Sequence, residues 1–197
     1  MQETLTSDPD IVNIFSIPVV RVDLKTMCKD RIKQTIELIE RDDYSGRNPA
    51  NHSSVLDHPL LLDVKRECID HCKKYINKLS HMADGVVITN SWSNCMYEGK
   101  NIDIHVHRNS YINGSIYLSS GTPITFVDDR ELFFVEPERE NGRNLNINFH
   151  MHPGELLLFP SKIQHGVLQE DGAPARYSIA FNTYPTSRYN GTNSLDN

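Results

Sequence analysis

The spacing of hydrophobic residues in this 197-residue chain changes near Gly85, and this change restricts the fold more than any other feature of the sequence. From Asp23 to Arg41, and again from Pro59 to about His81, they recur every three or four residues, as in amphipathic helices. After Gly85 they alternate, or form short runs between turn residues, as in strands. The predicted strands are 86–90, 102–107, 112–118, 124–127, 145–150, 155–159 and 177–181.

Helices followed by many short strands predict an α+β domain, mainly β, in which the helices buttress an antiparallel sheet. Ile11 to Val22 predicts an edge strand interrupted at Pro18. Asp23 would be the N-cap of the first helix. The polar segment 42–58 predicts a surface loop. We expect a single domain, with a strand and helices in 1–84, the β core in 85–183 and a polar tail in 184–197.

Composition and charge exclude several classes of protein. The chain is 38% hydrophobic and 23% charged, which is typical of a globular domain and excludes a disordered or fibrous chain. Its net charge of −6 argues against a general affinity for nucleic acids. Without a secretory signal or a membrane-length apolar segment, the chain is expected in the cytoplasm, with its four cysteines (Cys28, Cys68, Cys72, Cys95) as reduced core thiols. The sequence leaves the oligomeric state open, and a homodimer is compatible with it.

Three histidines have the spacing of a metal site. His105 and His107 are two residues apart in a predicted strand, so their side chains point to the same face. His165 follows 58 residues after His107. Three imidazoles can hold a first-row metal on one side and leave the opposite positions open. Because imidazole suits iron, zinc, copper and nickel, the ligands alone do not select the metal.

A carboxylate is an alternative third ligand. Asp103 shares a face with the two neighbouring histidines if the strand is regular. Asp128 and Asp129 follow the strand at 124–127. Of these three residues, Asp103 is the best candidate.

A second His-x-His pair, His150 and His152, has the same spacing. Both residues precede the turn at Pro153-Gly154, where side chains commonly face solvent. We therefore expect this pair outside the metal site.

Arg176 and Tyr117 are candidates for binding an organic acid beside the metal. Arg176 follows His165 by 11 residues on an alternating strand, and a guanidinium can pair with a carboxylate through two hydrogen bonds. The Tyr117 hydroxyl could donate to the same carboxylate. Trp92 before the metal strand, and Arg108 and Asn109 after it, are substrate-binding candidates.

Five motifs follow one another along the chain: His105-Val-His107, Ile116-Tyr-Leu118, Pro153-Gly-Glu-Leu-Leu-Leu-Phe-Pro160, His165-Gly-Val167 and Arg176-Tyr-Ser-Ile179. In this order, they resemble the motifs of the 2-oxoglutarate (2OG) and Fe(II)-dependent oxygenases of the prolyl-hydroxylase type. Two further motifs, His107-Arg-Asn-Ser110 and Asn113-Gly-Ser-Ile-Tyr117, resemble a small subfamily with His-x-His in place of His-x-Asp, which includes phage-encoded proteins. The resemblance extends from about Ser91 to Asn182 and implies a double-stranded β-helix, a cupin-like jelly roll with helices packed outside.

The resemblance implies that His105, His107 and His165 bind Fe(II), and that Arg176, with Tyr117 beside it, binds the far carboxylate of 2OG. The implied activity is the O2-dependent hydroxylation of an unidentified substrate, such as a peptide or amino-acid side chain. His107 stands where most relatives carry a carboxylate, and three neutral imidazoles offset none of the metal's charge. Two alternatives therefore stay open: a three-histidine cupin-type dioxygenase without 2OG, and a non-catalytic jelly-roll module that binds metal or belongs to a virion.

Overall fold

Two antiparallel sheets form the body of the protein, whose computed structural model describes residues 16–41, 54–79, 85–97, 100–128, 145–168 and 172–186. The strands are β1 (Val20–Asp23), β2 (Gly85–Met96), β3 (Ile102–His105), β4 (Ile112–Tyr117), β5 (Ile124–Asp128), β6 (Leu145–Phe149), β7 (Glu155–Pro160), β8 (Gln164–Val167) and β9 (Arg176–Thr186). A five-stranded sheet has the order β1-β7-β4-β9-β2, and a four-stranded sheet has the order β3-β8-β5-β6. This is the predicted double-stranded β-helix, and the fold class is confirmed.

The apolar run in β7 shows how alternation builds the core. Leu156 and Leu158 point to one face of the five-stranded sheet and join the larger hydrophobic cluster. Leu157 and Phe159 point to the other face, where they meet side chains of the four-stranded sheet such as Phe126. A strand that is buried on both faces needs apolar residues at every position, which explains the continuous run.

Two helices cover the outer face of the five-stranded sheet, as predicted. They are α1 (Lys29–Arg41) and α2 (Leu62–Lys78), with short 3-10 turns at Val55–Asp57 and Pro59–Leu61 before α2. Ile39 of α1 and Ile76 of α2 lie in the same cluster as Ile116 of β4. Full burial of such a side chain contributes about 1.5–3 kcal/mol to folding. No helix in these described ranges is long and apolar enough to cross a membrane.

The predicted start of the first helix was wrong. Asp23 is not an N-cap but the last residue of β1, where it pairs with Glu155, and α1 begins six positions later at Lys29. The Glu67 carboxylate of α2 accepts hydrogen bonds from the backbone N–H groups of Lys25 and Thr26 at 2.9 and 3.0 Å. Because these contacts hold residues 25 and 26 in a turn, the apolar periodicity continues through a segment that is not helical.

Other boundaries differ by a few residues. The predicted strand at Ile11 to Val22 is observed only as the edge strand β1, since residues 11–15 lie outside the described ranges. Residues 42–53, 80–84 and 187–197, which contain most of the predicted loop, the expected end of α2 and most of the tail, also lie outside them. All four cysteines are free thiols, but only Cys68 and Cys72 are core residues, because Cys28 is exposed and Cys95 is half-buried.

Candidate metal centre

The pairing of β3 with β8 brings two of the three histidines together. His105, the last residue of β3, is directly opposite His165 of β8 in the antiparallel register. The predicted strand 102–107 ends early, so His107 lies two residues beyond β3. Its backbone N–H donates to the Ser161 carbonyl at 3.0 Å, which holds the segment after β3 against the turn before β8.

The three imidazole rings converge on one point. The ring centroids are 4.5 Å apart for His105 and His165, 5.0 Å for His105 and His107, and 5.1 Å for His107 and His165. Each ring offers a nitrogen, and these nitrogens all lie within 4.8 Å of one another. In the part of the chain that the structure describes, no other set of three histidine, cysteine or carboxylate side chains converges in this way.

Hydrogen bonds determine which nitrogen of each ring faces the centre. The Nδ1 atoms of His105, His107 and His165 lie 2.7, 2.7 and 3.0 Å from the Asp103 carbonyl, the Asn182 Oδ1 and the Ile163 carbonyl. These oxygens only accept hydrogen bonds, so each Nδ1 carries the proton and each Nε2 keeps a lone pair.

The donor set fits a metal ion. The Nε2 atoms of His105 and His107 are only 3.2 Å apart, and two lone pairs at this distance repel each other unless a cation lies between them. Burial lowers the pKa of His165 to about 4 and also lowers the pKa of His107. The two rings are therefore neutral near pH 7, as a metal ligand must be.

Aromatic side chains hold two of the imidazoles in place. The Trp92 ring stacks on His107 with a centroid distance of 5.7 Å and an interplanar angle of 20°. Phe159 packs edge-on against His165 at 4.7 Å. Trp92, expected to contact substrate, therefore lies directly against a candidate ligand.

Arg176 is a buried cation beside this site. Its side chain is 2% exposed, and it makes no ion pair within the described ranges. Its Nη1 lies 3.3 Å from Ser178 Oγ and 3.8 Å from Met96 Sδ, while its Nε has no hydrogen-bond partner. The guanidinium carbon lies 4.9 Å from the centre of the Tyr117 ring. Because an unpaired buried charge costs several kcal/mol, the arrangement favours binding of an anion.

Two further buried side chains have unpaired polar atoms. Among the described residues, the Tyr117 hydroxyl has no hydrogen-bond partner, and burial raises the pKa of this phenol, so it stays a neutral donor. Asn113 is 1% exposed, and neither its amide nitrogen nor its amide oxygen is paired. Arg176, Asn113 and the three histidines line the same small cavity, of about 70 Å³.

Asn113 and Asn182 are site residues that were not predicted from the sequence. A signal for Asn113 was present, because Asn113, Ser115 and Tyr117 lie on one face of β4, a strand that is buried throughout. Three polar side chains on one face of a buried strand need polar partners or a ligand. Asn182 similarly shares a strand face with Arg176.

Neither of the described carboxylate alternatives, Asp103 and Asp128, is in the cluster. Asp103 is exposed, and its contact with the site is made by its backbone carbonyl, which accepts a hydrogen bond from the Nδ1–H group of His105. Asp128 ends β5 and is half-buried, but it is not one of the converging side chains. Asp129 lies outside the described residues.

The remaining candidates lie at the surface. His150 and His152 are both exposed, and neither belongs to the cluster, as expected. Arg108 and Asn109 form an exposed turn directly after His107, where the Arg108 carbonyl accepts a hydrogen bond from Lys162 at 2.9 Å.

A wide groove leads from the histidines to solvent. Its volume is about 840 Å³, and its lining includes Trp92, Tyr97, Lys100 and Asn182 together with His105 and His107. This volume is within the range of sites that bind small molecules, about 300–1,000 Å³.

Comparison with protein families gives one match, whose description is "Putative 2OG-Fe(II) oxygenase". Residues 90–182 match this 2OG-Fe(II) oxygenase model. The segment contains all three converging histidines, Asn113, Tyr117, Arg176 and Asn182. Iron and 2OG, which the sequence predicted, are the cofactor and co-substrate named in the description of this oxygenase family. No curated protein matches the chain.

Solved structures share the fold at low sequence identity. AviO1 from Streptomyces viridochromogenes Tue57 has a TM-score of 0.61 and 16% identity, over 86% of this chain and 90% of its own. HygX from Streptomyces hygroscopicus, with nickel and 2OG bound, has a TM-score of 0.56 and 13% identity, over 86% and 83%. A prolyl-4-hydroxylase from Pseudomonas putida has a TM-score of 0.52 and 14% identity, over 90% of each chain. These similarities support the double-stranded β-helix independently of the 2OG-Fe(II) oxygenase family match.

Proposed function

We propose that this protein is an Fe(II)- and 2OG-dependent oxygenase that hydroxylates an organic substrate. The observation that carries the proposal is the convergence of three Nε2 lone pairs beside a buried arginine that has no anionic partner among the described residues. When bound, iron and 2OG supply the activation of O2 and the oxidising chemistry, while the protein supplies position and electrostatics.

His105, His107 and His165 would hold the metal through Nε2. Their Nδ1 hydrogen bonds fix the tautomer and the orientation of every ring before the metal arrives. The small cavity and the groove both border these histidines, so co-substrate and O2 would bind there.

Arg176 would bind the far carboxylate of 2OG. The guanidinium is fixed by Ser178, Met96 and the Tyr117 ring, so little side-chain entropy is lost when the anion binds. The Tyr117 hydroxyl and the Asn113 amide would donate to the same molecule, which satisfies polar atoms that are otherwise unpaired.

The groove beside His107 would admit the substrate. Trp92 and Tyr97 offer flat apolar faces, and Lys100 and Asn182 offer polar contacts. HygX, which shares the fold, has been solved with nickel, 2OG and hygromycin B bound. We propose a small organic molecule or an amino-acid side chain as the substrate class, because a groove of about 840 Å³ accommodates either.

Anaerobic spectroscopy of the iron-loaded protein tests the proposal. Adding 2OG should produce the visible charge-transfer band of an Fe(II)–2OG chelate, and admitting O2 should release succinate. His165→Ala should abolish both signals, while His150→Ala, which alters an exposed histidine outside the cluster, should leave them intact.

The outcomes also separate the alternatives. A band and succinate that survive His165→Ala would refute the site. Iron bound by the histidines without a band would favour the three-histidine dioxygenase that uses no 2OG, since no carboxylate of the described residues belongs to the converging group. A fully folded protein that binds no metal would favour a non-catalytic module.

A further inference from the structure

One histidine of the cluster differs from the other two in what holds its outer nitrogen. His105 and His165 donate from Nδ1 to the backbone carbonyl two residues earlier, at Asp103 and Ile163. His107 donates instead to a side chain, the Oδ1 of Asn182, at 2.7 Å. The orientation of His107 therefore depends on a residue 75 positions away in the chain.

The backbone of Asn182 is held from both sides. It lies in β9, between β4 and β2, and pairs with Asn113 on one side and with Asn90 on the other. The backbone position of a residue in an interior strand varies little, so the Asn182 amide oxygen is held at a defined place. His107 needs such a partner because it lies beyond the end of β3 and has no regular strand geometry of its own.

Trp92 fixes the remaining freedom of the ring. Its indole stacks on the His107 imidazole at 5.7 Å and 20°, and its backbone pairs with Ala180, two residues before Asn182. The stacking restrains the plane of the imidazole, and the hydrogen bond restrains rotation within that plane. Together they direct Nε2 to the point that it shares with His105, 3.2 Å away.

We propose that Asn182 is the positioning residue for His107: its amide oxygen selects the Nδ1–H tautomer and so makes Nε2 the third metal-binding atom. This inference rests on the proposed function. The amide holds the Nδ1 proton without raising the basicity of the ring, whereas a carboxylate at this position would draw that proton and make His107 a more basic ligand.

The two effects of residue 182 can be separated by substitution. Asn182→Leu removes the acceptor and leaves the His107 tautomer unselected. Asn182→Asp keeps an acceptor on the same short side chain and makes it charged. Asn148→Leu is the matched control, because it removes another strand asparagine that accepts one side-chain hydrogen bond, from Thr125 at 2.8 Å, in the four-stranded sheet.

Co²⁺ alone is a suitable probe, since it gives both an affinity and a paramagnetic proton spectrum. The full-length wild type should show three solvent-exchangeable, strongly shifted N–H signals, one for each Nδ1. Asn182→Leu should lose the His107 signal and bind Co²⁺ about 10–100-fold more weakly, which is the usual effect of losing such an outer hydrogen bond. Asn182→Asp should keep three signals, with only the His107 signal moved, and should recover or exceed wild-type affinity.

Several results would overturn the inference. Three unchanged signals and unchanged affinity in Asn182→Leu would do so, as would an unmoved His107 signal in Asn182→Asp. If the leucine variant does not fold, the aspartate variant and the metal-free imidazole ¹H–¹⁵N spectrum, which reports the tautomer directly, still decide the question. Failure of the proposed function looks different. If the histidines do not form the metal site, His105→Ala and His165→Ala should bind Co²⁺ as tightly as the wild type does.

Discussion

Replacing Arg176 by methionine should change stability and 2OG binding in opposite directions. Methionine has a similar length, suits the apolar contacts with Met96 and the Tyr117 ring, and removes a guanidinium that is 2% exposed and has no ion-pair partner in the described ranges. The substitution therefore distinguishes between two roles of Arg176: binding of an anion and support of the fold alone.

The magnitudes follow from the surroundings of Arg176. Replacing buried charged groups by apolar residues is neutral or stabilising by about 1–4 kcal/mol, and the lost cation–π contact offsets about 1–2 kcal/mol of this. The ligand-free protein should thus be unchanged or about 2 kcal/mol more stable. The affinity for 2OG should fall by about 3–5 kcal/mol, the usual cost of removing one partner of a buried charge pair, which is about a 10²–10⁴-fold rise in Kd.

Urea denaturation of the Ni²⁺-loaded protein, with and without 2OG, measures both effects. In the wild type, 2OG at 100 times its Kd should raise the free energy of unfolding by about 2.7 kcal/mol, and Arg176→Met should lose this gain. Arg21→Met is the contrasting control: it breaks the two hydrogen bonds of 2.8 and 2.9 Å to Glu155, so it should lower stability and leave the 2OG effect intact. A ligand-free Arg176→Met protein that is destabilised by more than 3 kcal/mol, or one that keeps the 2OG effect, would refute the reasoning.

Three further predictions concern the same cavity. Burial lowers the pKa of His165 from about 6.5 in the unfolded chain to about 4 in the folded protein, so the unfolded state takes up the proton first as the pH falls. The contribution of His165 to the stability of the metal-free protein should therefore be complete above pH 6.5, and about 3 kcal/mol of it should be lost as the pH falls to about 4. His165→Gln should show a flatter profile of stability against pH. Equal profiles in urea titrations would contradict this. Gly166→Ala places a Cβ 2.6 Å from the Ile102 carbonyl, so it should push β3 from β8 and weaken metal binding, and isothermal titration showing wild-type affinity would argue against it. Asn113→Leu should reduce 2OG affinity about tenfold, the effect of one neutral hydrogen bond, and unchanged 2OG titrations would exclude that role.

The positions of the strands along the chain and the grouping of the three histidines could be predicted because they depend on local patterns. Two-residue alternation identifies strands, and a shared face brings His105 and His107 together even though β3 ends between them. The false N-cap at Asp23 shows the limit of such patterns, because the donors that a cap would satisfy are taken by Glu67, 42 residues from Lys25.

The role of Asn182 could not be assigned from the sequence for a related reason. Asn182 acts on His107 only because β9 lies beside β4 and β2, and the register of those pairings is not visible in any local pattern. The same applies to Trp92, whose position before the metal strand suggested a substrate wall but which stacks on a candidate ligand. Neutral amides and aromatic rings occur in every protein, so their roles depend on long-range neighbours.

The shortness of β3 has a mechanical consequence. This four-residue strand is at the edge of its sheet, so β8 is its only hydrogen-bonded neighbour among the described strands, and His105 and His165 lie opposite each other across that single pairing. Edge strands of this length open easily, and their amide hydrogens exchange with solvent early. An ion bound between the two histidines would fasten the strand to its neighbour, so that the free energy of metal binding adds to the free energy of local opening. Loading the centre should therefore slow hydrogen exchange in β3 far more than in β1, an edge strand of the other sheet.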